Sequence, residues 1–155
     1  MDSNGNKTEI ETKTLELLHD FANGSFITSL DIIDKLDQKL VTLISVDGII
    51  ISILFSISSF SNKLFFYICI CFILSSLVLG VCGYIPKSIY AVDTYKTWVD
   101  YYGYKYDRAI AQLTSNLVEA WKRNKHIADI KGSIIAWGFF TLVAGIVFLF
   151  IDKVR

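Results

Sequence analysis

Two groups of residues carry side chains that could do chemistry. In "TLISVDGIIISILF", residues 42–55, one carboxylate, Asp47, interrupts a run of Ile, Leu, Val, Phe, Thr, Ser and Gly. An acid near the centre of a bilayer costs roughly 2.5–3.5 kcal/mol, so it should face protein, water or a partner charge. Two readings follow. Asp47 bonds a neighbouring helix, or reaches a cation such as Lys131. Alternatively, an oligomer gathers a ring of acids that lines or gates a conduction path, with Ser52 and Ser56 as further pore or gate candidates.

The second group begins in "YKTWVDYYGYKYDR", residues 95–108, where Trp98, Tyr101, Tyr102, Tyr104 and Tyr106 alternate with Lys96, Lys105 and Arg108. It continues in "WKRNKH", residues 121–126. Aromatic rings can stack on bases while cations hold phosphates, which makes Trp98, Tyr102, Lys105, Arg108, Lys122, Arg123 and Lys125 candidate ligand-binding residues. The same residue types also form interfacial aromatic belts or basic clusters that hold anionic lipid.

Nothing else suggests catalysis. His19 and His126 stand apart, and no Ser/His/Asp set, Cys/His set or paired carboxylates share a credible pocket. We expect no enzyme, no cofactor and no metal. Cys69, Cys71 and Cys82 lack further ligands nearby in sequence and should behave as small apolar residues.

The elements that position these residues follow from hydropathy. The chain has 155 residues, 53% of them hydrophobic, with a mean hydropathy of +0.47 and a single proline. Its charge is unevenly placed: residues 40–62, 64–85 and 132–151 contain one charged side chain among them, Asp47. About 20 apolar residues cross a ~30 Å hydrocarbon core as a helix. The expected fold is therefore all-α, an integral membrane protein with three transmembrane helices and helical cytoplasmic extensions. Residues 1–39 form N-terminal cytoplasmic helices, 40–85 a transmembrane hairpin, 86–131 a cytoplasmic helical segment, 132–151 the third span and 152–155 a tail. The polar first 40 residues argue against a cleaved signal peptide.

Within this plan Thr8 and Glu11 have capping-box spacing. Asn23-Gly24 should end a first helix, and a second should run from near Thr28 into the first span. Pro86 should redirect the chain before a helix over "SIYAVDTYKTWVDYYGY". A last helix of some 40 residues should run from Asp107. Residues 1–39 hold four Lys and residues 86–131 eight Lys or Arg, against Lys63 alone in the intervening turn. The positive-inside rule then places the N-terminus and middle segment in the cytoplasm.

Each span carries small residues in a stripe. Ser45, Gly48, Ser52, Ser56 and Ser59 fall within about 80° on the first, with Asp47 opposite. Ser76 and Gly80 mark the second; Gly138, Thr141 and Gly145 mark the third. Such stripes let helices approach closely. Because three spans make few internal contacts, Gly80, Gly138 and Gly145 are expected to pack between copies, in a homo-oligomer that is a tetramer or similar ring.

"LDQKLVTLISVDGIIISIL" resembles the first span of small bacterial membrane effectors of the Pycsar and SLATT-like kind, in which an acid and a Lys precede an apolar run. Asp37, Lys39 and the Asp47-Gly48 pair occupy the matching positions. The segment from Asn116 to Phe150 is similar to the last helix of those proteins, with Lys131 at membrane entry, and Pro86 after the second span also fits. Here Asp replaces the more usual Asn, three spans stand where some relatives have four, and a recognisable nucleotide-binding domain is lacking. The resemblance implies antiphage defence by abortive infection at the bacterial inner membrane. There a partner nucleotidyltransferase or cyclase makes a nucleotide or oligonucleotide signal, and the oligomeric effector opens a pore or disrupts the membrane. Effectors of the Hailong type, gated by a DNA oligomer, share this logic. A non-conducting membrane scaffold or assembly subunit is the alternative.

Overall fold

The computed structural model describes residues 3–56, 63–85, 89–91 and 105–154, with side chains for 12–56, 64–85, 89–91 and 105–151. Three helices account for nearly all of them: α1 (Ser3–Ser56), α2 (Lys63–Tyr84) and α3 (Tyr106–Val154). No strand occurs among the described residues. Each helix contains a stretch long and apolar enough to cross a membrane. The expected all-α architecture with three such helices is present, and α2 and α3 begin within about one residue of where hydropathy and spacing put them.

α1 differs from expectation, since it is one helix of 54 residues with no break at Asn23-Gly24. A glycine in a helix interior costs only about 1 kcal/mol, which the surrounding turns absorb. The hydroxyls expected to start a new helix instead bond backward within the old one. Thr28 Oγ1 donates to the Gly24 carbonyl at 2.8 Å, and Ser29 Oγ to that of Phe26 at 2.6 Å. Because α1 begins at Ser3, Thr8 lies inside the helix and does not cap it.

A second departure follows α2. Ile89–Ala91 is not helical, although a helix was expected there. The remainder of that predicted helix, including Trp98 and Tyr102, lies outside the described residues.

Contacts divide the chain into two units, one of residues 1–32 with 88–127 and one of 33–87 with 128–155. In the first, the opening turns of α1 and α3 run parallel. Thr12 Oγ1 donates to Asp107 Oδ1 at 3.2 Å, Tyr106 OH donates to Glu16 Oε1 at 2.8 Å, and Thr114 Oγ1 lies 3.4 Å from His19 Nδ1. Ala22, Leu117 and Ala120 are buried in this unit.

In the second unit α2 packs antiparallel to α1 and α3. Leu54, Cys69 and Ile73 form a buried cluster with Ile50, Ile51, Ile70, Phe148 and Leu149 around it. The Phe72 and Phe148 rings stack with centroids 5.6 Å apart. Of the three free cysteines, Cys69 belongs to this core, whereas Cys71 and Cys82 are exposed.

The glycines expected between copies are used inside one copy. A Cβ on Gly80 would stand 2.9 Å from Ile44 Cγ1, and one on Gly138 only 2.5 Å from Leu43 Cδ2. At Gly145 it would meet Ile73 Cγ1 at 2.9 Å and the Cys69 carbonyl oxygen at 3.4 Å. These close approaches are to helices of the same chain. The stripe on α1 is different, because Ser45, Gly48, Ser52 and Ser56 are exposed and nothing lies within 4 Å of a Cβ on Gly48.

The two kinds of glycine should respond differently to substitution. Gly145→Leu forces a branched side chain against the Cys69 backbone and should destabilise the helix packing by about 1–3 kcal/mol or more. Gly48→Ala should be neutral or stabilising by up to about 1 kcal/mol, since nothing obstructs the added methyl and alanine is the better helix former. Denaturant titration of both variants in detergent micelles measures the difference, and equal midpoints would count against these contacts.

Candidate functional site

Asp47 lies ten residues beyond Asp37 on α1 and on the opposite side from the serine stripe, so it points into its own three-helix unit. It is fully buried, at 0% exposure. Its Oδ2 lies 2.9 Å from Ser76 Oγ on α2, and the same Oγ lies 3.0 Å from the Gly138 carbonyl oxygen on α3. Thr141 Oγ1 also donates to that carbonyl, at 2.9 Å. Asp47 Oδ1 has no hydrogen-bond partner. One hydroxyl thus joins all three helices, and one buried carboxyl oxygen is left over.

Lys131 does not reach Asp47. It is 3% exposed and pairs with Asp37. On a helix, Asp37 and Asp47 are separated by about 15 Å, so Lys131 serves the lower acid. Of the two sequence readings for Asp47, contact with a neighbouring helix matches this geometry, through Ser76 and without a cation.

Ser52 and Ser56 are not brought to Asp47. Both are exposed, and each hydroxyl donates back along α1, to the carbonyls of Gly48 at 2.8 Å and Ser52 at 2.9 Å. Between α1 and α2, a small apolar hollow is lined by Ile51, Leu54, Phe55, Phe66, Ile70, Ile73 and Leu74. Its hydrocarbon walls suit a lipid chain and offer nothing to a phosphate.

The candidate ligand-binding residues fall into two groups on α3. Lys105 and Arg108 stand exposed at its start, where the Lys105 carbonyl accepts the amides of Arg108 and Ala109 at 3.0 Å. Lys122, Arg123 and Lys125 are exposed four turns later, about 20 Å along the axis. In the second group each aromatic neighbour carries a cation. The Arg123 guanidinium lies 4.6 Å from the Tyr90 ring centroid while pairing with Glu119, and Lys125 Nζ lies 5.6 Å from that of Trp121. Such contacts contribute about 0.5–1 kcal/mol at exposed sites. Lys122 and Lys125 thus present charge outward, whereas much of Arg123 is already engaged. Among the described residues, no three His, Cys, Asp or Glu side chains converge as metal ligands.

Two residues escaped the sequence reading. Ser76 was read only for its small size. Asn124, inside the basic "WKRNKH", is fully buried and clamps the Tyr90 backbone. Tyr90 N–H donates to Asn124 Oδ1, and Asn124 Nδ2 donates to the Tyr90 carbonyl, both at 3.1 Å. The available signal was a lone neutral amide among cations.

This clamp satisfies both peptide groups of a non-helical residue. Asn124→Ala should leave both unpaired and cost about 1–3 kcal/mol, while Asn124→Asp retains only the acceptor. Amide hydrogen exchange resolved at Tyr90 should accelerate in both variants; unchanged protection would show that the clamp does not hold this segment.

Compared with known proteins, the chain matches no family model, no curated relative and no solved structure.

Proposed function

We propose that this chain is an oligomeric membrane effector, a pore or membrane-disrupting protein that answers a nucleotide or oligonucleotide signal. In this reading it resides in a bacterial inner membrane with its N-terminus and middle segment cytoplasmic, and it serves antiphage defence as the resemblance of its first and last spans implies. The observation that carries the reading is the open face of α1. Gly80, Gly83, Gly138 and Gly145 of α2 and α3 are covered within the chain, whereas Ser45, Gly48, Ser52 and Ser56 are exposed over three turns of an apolar helix. A second copy can approach closely along that face. The exposed Lys122 and Lys125 supply the charge for a phosphate-bearing signal.

One observation favours a non-conducting scaffold or assembly subunit instead: Asp47 is fully buried inside a single chain, where it lines nothing.

Proteoliposomes separate the two readings. Purified protein should run as a multimer by mass measurement. On addition of cyclic nucleotides or short DNA oligomers it should release a trapped dye, with binding that weakens as salt rises. Lys122→Ala, Arg123→Ala and Lys125→Ala combined should abolish the response while the protein remains in the vesicles. A monomer that releases no dye under any of these probes overturns the effector reading.

A further inference from the structure

We infer that Asp47, Ser76 and the Gly138 carbonyl form a proton-binding site inside the three-helix unit, in which Asp47 is a neutral carboxylic acid. The inference rests on hydrogen counting and stands whether or not the chain conducts.

If Asp47 were ionised, the cluster would hold one hydrogen, that of the Ser76 hydroxyl, and two acceptors 2.9 and 3.0 Å from it. The second acid oxygen, Oδ1, would be a buried anionic atom with no donor at all. A proton on Oδ2 closes the set. Asp47 O–H then donates to Ser76 Oγ, the Ser76 hydroxyl donates to the Gly138 carbonyl, and each short contact has its own hydrogen. Oδ1 becomes a neutral carbonyl oxygen, for which a missing partner is far less costly than for a carboxylate.

Among the described residues, no opposite charge is available to hold the anion. On α1, the nearest charged neighbours, Lys39 and Asp37, lie eight and ten residues back. α2 from Leu64 to Tyr84 contributes no Asp, Glu, Lys, Arg or His; its titratable groups are Tyr67, Cys69, Cys71, Cys82 and Tyr84. On α3, residues 132–151 are uncharged, and Lys131, seven residues or about 10 Å before Gly138, is paired with Asp37. Protonating an ordinary aspartic acid at pH 7 is uphill by roughly a thousandfold, and burying a lone carboxylate is costlier. A sodium ion is a poorer occupant than a proton. The cluster offers it only the acid oxygens, one hydroxyl and a carbonyl that Thr141 already uses, short of the near-complete oxygen shell that a dehydrated hard cation needs.

Release of the proton requires water or a cation to reach Oδ1, which the packed helices exclude. Proton binding and the docking of α1 on α2 are therefore one linked equilibrium.

Infrared difference spectroscopy of the full chain in bilayers tests this. At neutral pH in a potassium buffer the wild type should show the C=O stretch of a protonated carboxylic acid, shifted down when the protein is folded in deuterium oxide. That band should be absent in Asp47→Asn. In Ser76→Ala, which removes the acceptor of the acid proton, it should move to higher frequency. Absence of the band in the folded wild type overturns the inference. A band suppressed by sodium overturns the proton as occupant and assigns the site to the metal cation.

Discussion

Helices among lipid tails gain little from burying hydrocarbon against one another, because the lipid is as apolar as they are. Van der Waals fit and interhelical hydrogen bonds must hold them, and both concentrate at one level of the 33–87/128–155 unit. Gly138 lacks a side chain where Leu43 enters, and the gap brings the Ser76 hydroxyl to a backbone carbonyl of α3 and an acid of α1 together. The remaining contacts follow from that approach. Gly80 and Gly83 continue the α1–α2 seam against Leu40, Leu43 and Ile44, and Gly145 continues the α2–α3 seam against Phe72 and Ile73.

Two acids of α1, the half-buried Asp37 and the fully buried Asp47, show how register divides labour. Asp37 faces Lys131, a cation that is almost wholly buried. Removing such a pair from water costs much of what its attraction returns, so its main contribution is to fix which turn of α3 meets which turn of α1. Asp47, three turns on, meets only a hydroxyl. The identical residue type is an ion-pair partner at one level and a hydrogen-bond partner at the next, because the facing helix supplies different groups.

Helix lengths were legible in the sequence because uncharged runs of about 20 residues have few other uses, and α2 and α3 appear where those runs and the 3.6-residue spacing placed them. The inward face of Asp47 was legible as well, since the serines of α1 define the opposite side. The end of α2 at Tyr84, just before Pro86, was legible, but one expected break was not real. Asn23-Gly24 has the composition of a stop, but a propensity of about 1 kcal/mol yields to continuous turns on either side. The Ser76 contact was hidden for another reason: it joins residues 29 and 62 positions apart on three helices, and no local pattern encodes which serine faces which acid. Asn124 was masked by its neighbours, because a helix can turn one amide inward while the cations beside it stay in solvent.

The open face of α1 has a property that its composition conceals. Thr42, Ser45, Ser52 and Ser56 each direct the hydroxyl hydrogen to the carbonyl four residues back. At those four positions the hydroxyl hydrogens are already used, and the large exposed side chains beside them, Val41, Ile49 and Phe55, are apolar. A neighbouring molecule therefore finds small residues that allow tight contact but offer it almost no hydrogen-bond donors to set register or partner. Any fidelity in what lies along it has to come from shape, or from chemistry elsewhere on the chain. Exchanging those serines for alanine would change the surface less than a polarity scale suggests.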